Sequence, residues 1–319
     1  MAIPWKRVLL FIGTTVALYL LAVWAMCHVR FQGRPLIYRT GDYYNWPGGE
    51  SWASFHAFDP DARGQVVIIG SSHAYRGYDP FVFTARGHAA YNLGSSAQTP
   101  LNTFYLIKEF LDSTNCRLLV LDIYEGVMLN DGLESTSDLT QNQPSDAAAL
   151  GMAWSMRDLR ALNMMALRML SDRSEPFYSN PSYAGLGFCR HPDSVGTEAP
   201  APKVDQRPFI ARQPQFFAEC IRLCRERGIP VVVASHYARR NRRGIAHTKL
   251  TQLVDSTLQG TGIPYLDFTE MPGIDDRNWF ADHNHLNAAG ARIFTEQLVD
   301  TLESLGYLPR LRGTPASAP

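Results

Sequence analysis

Apolar positions fall into two kinds of run along this chain. The first is one uncharged stretch, Val8 to Met26, preceded by Lys6 and Arg7 and interrupted only by Gly13, Thr14 and Thr15. At about 1.5 Å per residue its nineteen residues reach roughly across a ~30 Å hydrocarbon layer, so it reads as a membrane span. The second kind is short. Val66–Ile69, Ala89–Leu93, Leu118–Ile123, Pro230–Ser235 and Pro264–Phe268 are bounded by Gly or polar residues, the pattern of strands covered on both faces. Amphipathic stretches lie between them, near Pro80–Arg86, Leu101–Leu111, Pro214–Arg227, Ile245–Gln259 and Asn287–Leu305. The order βαβαβ, insertion, αβαβα predicts an α/β fold. It is a three-layer α/β/α sandwich around a five-stranded parallel sheet, with right-handed crossovers and one N-terminal transmembrane helix.

This pattern divides the chain into an anchor (1–30), a juxtamembrane linker or lid (31–62), a sheet domain (63–308) with an insertion at about 130–210, and a disordered tail (309–319). The linker, with "YRTGDYYNWPGGESW", shows no sustained period of 3.6 or 2. Its Tyr43, Tyr44, Trp46 and Trp52 sit at the headgroup level, stack on sugars or pack under the domain. The insertion holds an apolar stretch, Ala147–Leu170, read as one helix rich in methionine: Met152, Met156, Met164, Met165 and Met169. Core packing is its default role, and an adaptable face for a membrane partner is the alternative.

Composition narrows the class. Of 319 residues 45% are hydrophobic and 19% charged, which excludes a disordered polymer or a coiled coil as the whole protein. Thirty basic and thirty acidic residues give no net charge, so no global attraction to nucleic acid is expected. Five scattered cysteines without a C-x-x-C pair suggest neither a disulfide framework nor structural zinc. Cys220 and Cys224 share a helix face as two small buried residues, and Cys189 with His191 is too sparse to be a metal site. A removable signal peptide ending near Val23-x-Ala25 is the alternative to an anchor, but the run exceeds the roughly 7–15 residues of a typical h-region. Trp24-Ala25-Met26 is a poor lead-in to lipidation of Cys27. Arg30 and Arg34 offset Lys6 and Arg7, yet long domains translocate largely regardless of such charges. The C-terminal domain is therefore expected to be periplasmic or extracellular, on a single-pass anchor.

Parallel sheets place ligands at the carboxyl ends of their strands, and three segments there carry chemistry. Gly70-Ser71-Ser72-His73 follows the first strand, Asn92-Leu93-Gly94-Ser95-Ser96 the second, and Asp282-His283-Asn284-His285 precedes the last helix. A serine at a strand-to-helix turn is exposed beside helix N–H groups that favour an anion. A carboxylate three residues before a histidine fixes the imidazole tautomer while the other ring nitrogen accepts the serine proton.

These blocks resemble the SGNH (GDSL-like) hydrolase superfamily, with its flavodoxin-like sheet, over roughly Gly64 to Leu305. The resemblance makes Ser72 the nucleophile, although the middle Asp of Gly-Asp-Ser is replaced in Gly70-Ser71-Ser72. It makes Asp282 the orienting carboxylate and His285 the base, and assigns the Ser72 and Gly94 backbone N–H groups to the oxyanion hole. The family's Gly-x-Asn-Asp block is not found after strand three, where Leu121-Asp122-Ile123-Tyr124-Glu125-Gly126 stands instead. Losing one oxyanion donor costs roughly 10²–10³ in rate. Ionised Asp122 and Glu125 only accept hydrogen bonds, whereas Tyr124 has a hydroxyl to donate.

Each residue also has a plainer reading. Ser71 and Ser72 are helix caps in the plainer one, and Gly94 only permits a tight turn. Asp282 and His285 form a loop ion pair or, with His283 and His236, an oxygen–nitrogen metal site; neither a metal nor a cofactor is expected. His73, Arg76, His236 and Arg239 are candidate substrate contacts. Arg239, Arg240, Arg242 and Arg243, with Asn241, form either a solvated loop or a clamp for anionic headgroups or glycans. The layout is similar to the membrane-tethered SGNH-like proteins of D-alanine transfer to teichoic acid and of alginate acetylation. It implies ester hydrolysis or O-acyl transfer on an envelope polysaccharide or lipid-linked glycan, with a multi-pass membrane O-acyltransferase as a partner. A non-catalytic envelope scaffold that binds glycan or such an acyltransferase is the second reading.

Overall fold

The structure, a computed structural model, describes residues 4–41, 45–198, 207–239, 245–272 and 275–310. Five parallel strands form the central sheet: β1 (Gln65–Ile69), β2 (Ala90–Asn92), β3 (Cys116–Asp122), β4 (Val231–Ser235) and β5 (Tyr265–Asp267). They lie in the order β2-β1-β3-β4-β5, so the chain reverses direction across the sheet between β1 and β3, the place where such sheets generally bind ligands.

The continuous apolar strands have a direct cause. In β1, Val67 and Ile69 face one core while Val66 and Ile68 face the other, and β3 and β4 divide likewise. The first core is closed by α5 (Pro100–Phe110), α10 (Arg212–Glu226) and α11 (Ile245–Leu258), the second by α3 (Ser72–Gly77), α4 (Pro80–Ala85) and α12 (Ala288–Ser304). The predicted strands and flanking helices agree with these bounds to within about two residues.

Two expectations are corrected. The linker carries α2 (Gly49–Ala57), and Phe55 and Phe58 drive into the first core, so this segment belongs to the domain. Trp46 packs on Tyr38 and Phe177 and Trp52 stacks on His56; Tyr43 and Tyr44 lie outside the described residues. After a short α6 (Glu125–Met128), the insertion carries α7 (Leu133–Asn142), α8 (Asp146–Met156) and α9 (Leu159–Leu170), followed by a two-stranded antiparallel ribbon, Tyr183–Gly185 with Phe188–Cys189. The methionine-rich stretch is two helices because Arg157 turns left-handed (φ 52°) and Asp158 caps α9 by accepting from the Arg160 N–H at 2.8 Å. The tail beyond residue 310 lies outside the described residues, and all five cysteines are buried thiols.

The N-terminal helix α1 (Trp5–His28) is long and apolar enough to cross a membrane, and it lies almost wholly on the surface. Its second half meets the domain: Val23 and Cys27 pack on Met164 and Leu167 of α9, and the Tyr19 hydroxyl bonds the Asn163 side chain.

Candidate active site

All three chemical segments converge at the carboxyl edge. Gly70 lets β1 end against β3: a Cβ there would lie 2.8 Å from Cβ of Asp122. Ser71 caps α3 by accepting from the His73 N–H at 3.2 Å, which leaves the next residue, Ser72, half-buried at the rim. Ser71 therefore has the capping role, and the Ser72 side chain is free for another partner. Ser72 Oγ donates to His285 Nε2 at 2.8 Å across 213 residues of sequence.

On the other side of the ring His285 Nδ1 donates to Asp282 Oδ2 at 2.8 Å. This pairing fixes the tautomer, leaving Nε2 as the proton acceptor facing the serine. Asp282 Oδ1 accepts from the backbone N–H groups of Asn284 (2.7 Å) and His285 (2.9 Å), which tie the carboxylate into its own loop. Burial opposes ionisation of Asp282, but its hydrogen bond and charge attraction with His285 and these two amides outweigh that and hold its carboxyl well below the usual range. Burial is also the largest influence on His285 and lowers its pKa. The Asp282 hydrogen bond pulls the other way, while Arg76 and His236 push it down again. The balance favours the neutral imidazole.

The four candidate substrate contacts occupy different places. Arg76 Nη1 reaches Asp282 Oδ2 at 3.2 Å, making the guanidinium a partner of the carboxylate that His285 faces. Arg239 departs from both the solvated-loop and the clamp expectation. It is buried, donating to Thr197 O (2.7 Å) and Asp282 O (3.3 Å) over the Phe280 ring, because those carbonyls and that ring offer its charge and its plane better partners than the rim does. Residues 240–243 of the basic run lie outside the described residues. His73 and His236 are buried, stacked with ring centroids 4.3 Å apart, and His73 lies 4.8 Å from the His285 ring.

Behind them Asp122 Oδ1 accepts from both His236 Nδ1 and the Tyr78 hydroxyl, each at 2.7 Å. Sequence reasoning weighed Asp122 only as an oxyanion donor and missed this pairing. The available signal was topological: β3 and β4 are adjacent, with Asp122 in register with Ala234, two residues before His236. Tyr124 stands at the wall of the stack, 4.3 Å from the His73 ring. Its ring also lies over Gly126, where a Cβ would approach to 2.3 Å. His191, treated as too sparse for a metal site, is drawn into the same electrostatic neighbourhood: burial lowers its pKa, and Arg76 and His285 lower it further.

Gly94 packs the end of β2 onto the Ser71–Ala74 turn, since a Cβ there would meet Ala74 Cβ and Ser71 O at 3.1 Å. Its N–H, assigned by resemblance to the oxyanion hole, donates to Asn92 Oδ1 at 3.0 Å. Asn92 in turn donates to the Ala74 and Tyr78 carbonyls, tying β2 to α3. Among the described residues no group of three or more His, Cys, Asp or Glu side chains is arranged to hold a metal ion, and His236 is committed to Asp122.

No protein-family model and no curated protein matches the chain in sequence. Solved structures do match. One is the crystal structure of a "putative acylhydrolase" from Bacteroides fragilis, 13% identical, covering 82% of this chain and 98% of that one with a TM-score of 0.41. At that identity and TM-score the likeness carries nothing about this chain's activity.

Proposed function

We propose that the chain is a membrane-anchored, SGNH-like serine esterase or O-acyltransferase whose domain faces the cell envelope outside the cytoplasm. The single observation that carries the reading is the row Ser72 Oγ, His285 Nε2, His285 Nδ1 and Asp282 Oδ2, with both contacts at 2.8 Å. In the mechanism that follows, His285 Nε2 takes the hydroxyl proton as Ser72 Oγ adds to an ester carbonyl. The oxyanion forms beside the first turn of α3, where amide donors such as Ser72 N–H have no intrahelical partner. Collapse breaks the ester C–O bond, and His285 returns the proton to the departing alkoxide. Water or an acceptor hydroxyl then attacks the acyl-Ser72 by the same route in reverse. Arg76 and Arg239 hold Asp282 and its loop in place. The anchor favours an acyl ester of an envelope polysaccharide or lipid-linked glycan as substrate, and a multi-pass O-acyltransferase as partner.

A scaffold that binds glycan without catalysis is the second reading. It is favoured by the engaged Gly94 N–H and by an Asp122 committed to His236 where the family's asparagine block would stand. A serine-reactive fluorophosphonate, with Ser72→Ala and His285→Ala as controls, separates the two. Labelling of the full chain that both substitutions abolish, together with acetate release from an acetylated model ester, is expected for the enzyme. Labelling and release indifferent to Ser72→Ala overturn it.

A further inference from the structure

The α8–α9 hairpin leaves an apolar surface that the sheet domain does not use. Beyond Asp146 in its first turn, which pairs with Arg168, and Ser155, which bonds Tyr105, α8 is apolar: Ala148, Ala149, Met152, Ala153 and Met156 are buried, and on the opposite side Leu150 and Trp154 are 52% and 71% exposed. A helix apolar on nearly every side is buried in protein or in lipid. One turn beyond the α9 residue that meets α1, Asn163, and on the same face, Leu159 is 82% exposed.

The position of this surface identifies what covers it. In α1 the residues from Trp5 to Leu21 include a long series of exposed apolar side chains, whereas Val23 and Cys27, further on, are covered by α9. Helix α9 therefore meets α1 toward the C-terminal end of that exposed series, from Tyr19 to Cys27, and Leu159 and α8 continue that surface sideways. Tyr19 and Trp24 flank the junction, as aromatic side chains do at a bilayer interface. The hairpin corner carries Arg157 and an Arg160–Asp158 ion pair. A cleft of about 540 Å³ beside it mixes Trp154, Met156 and Phe216 with Arg157 and Arg212, the chemistry of a headgroup layer.

We infer that the α8–α9 hairpin is a second membrane contact, seated in the outer leaflet beside α1 with Leu150, Trp154 and Leu159 in lipid and the corner arginines among the headgroups. The inference rests on α1 being a membrane anchor.

The test uses the full chain in nanodiscs of phosphatidylcholine and phosphatidylglycerol, with a nitroxide at Trp154→Cys, Leu159→Cys or, as a control on the opposite face of the sheet, Leu305→Cys. The native cysteines are buried, and the unsubstituted chain gives the labelling background. Labels at 154 and 159 should collide more with oxygen than with a water-soluble nickel chelate, and the label at 305 the reverse. As a milder check, Trp154→Phe should lose part of the tryptophan quenching produced by brominated lipid. A chain retained by the bilayer with 154 and 159 open to nickel overturns the second contact alone. Labels shielded from both reagents overturn it in favour of a second copy as the covering surface. A chain that does not stay with the bilayer overturns the anchor as well.

Discussion

Two aspartate–histidine couples stand within one sheet edge and differ in what they can do. Asp282 with His285 and Asp122 with His236 have nearly the same separation, 2.8 and 2.7 Å. The first is at the rim, with its carboxylate side chain 45% exposed, and its free imidazole nitrogen meets a serine hydroxyl. The second is sealed, at 0% and 4% side-chain exposure, and its ring stacks on His73. An acid–imidazole pair is therefore not itself a catalytic device: in the proposed mechanism the Ser72 hydroxyl at the second nitrogen of His285 lets that ring carry a proton, whereas the buried His236 ring braces a wall.

The largest effects should come from the rim. Ser72→Ala or His285→Ala is expected to lower ester turnover by about 10⁶-fold where members of a triad act as a unit. Asp282→Asn, which leaves the shape but permits the wrong tautomer, should cost about 10⁴-fold in kcat. Asp122→Asn should do the opposite. Weakening the hydrogen bonds of a sealed couple costs stability on the order of 1–3 kcal/mol, read as a lower denaturant midpoint, while fluorophosphonate labelling per folded molecule stays within about tenfold, less than one lost oxyanion donor would cost. If Asp122→Asn silenced labelling in folded protein as fully as Asp282→Asn, the division between working and bracing couples would be gone.

Smaller changes sharpen the contrast. Arg76 lowers the His285 pKa, so removing its charge favours imidazolium, and Arg76→Gln should move the acid limb of the rate–pH profile upward. A third couple, His247 with Asp267, is structural. Its Nε2 lies 2.9 Å from Asp267 Oδ2, and mainly through that hydrogen bond the His247 pKa rises to about 9. A raised imidazole contributes its full stability below the unfolded value of about 6.5 and loses it as pH climbs through the folded value. The wild-type Tm should accordingly decline between about pH 6.5 and 9, and His247→Gln should flatten that decline. At the acid end, burial opposes the ionised form of Asp267, but the His247 and Thr269 hydrogen bonds hold its carboxyl at about 2. That contribution is present above about 3.8 and fades as pH falls toward 2.

The strands were legible because each apolar run ends in glycine or polar residues and serves two cores at once. Ser72, Asp282 and His285 were legible because strand ends and a helix entry are where a parallel sheet gathers its chemistry. What escaped depends on side chains that choose partners in space. Arg76 and Arg239 carry no local sign that they close on Asp282, and the Asp122–His236 couple needs the strand order. The break at Arg157-Asp158 was readable in principle as a cap before Leu159, but unbroken apolar periodicity hid it. Helix α2 was concealed by its short length and by the glycines that open it.

The grip of α9 on the end of α1 bears on how this molecule would sample its surroundings. A lone helix on a loose tether is a swivel, and the mouth of the domain would face every direction in turn. With Val23 and Cys27 locked against Met164 and Leu167, helix and body turn together. On the proposed anchor and chemistry, the molecule would then present Ser72 at a set height and heading, and its search for an acyl donor would become drift within a plane rather than tumbling in a volume.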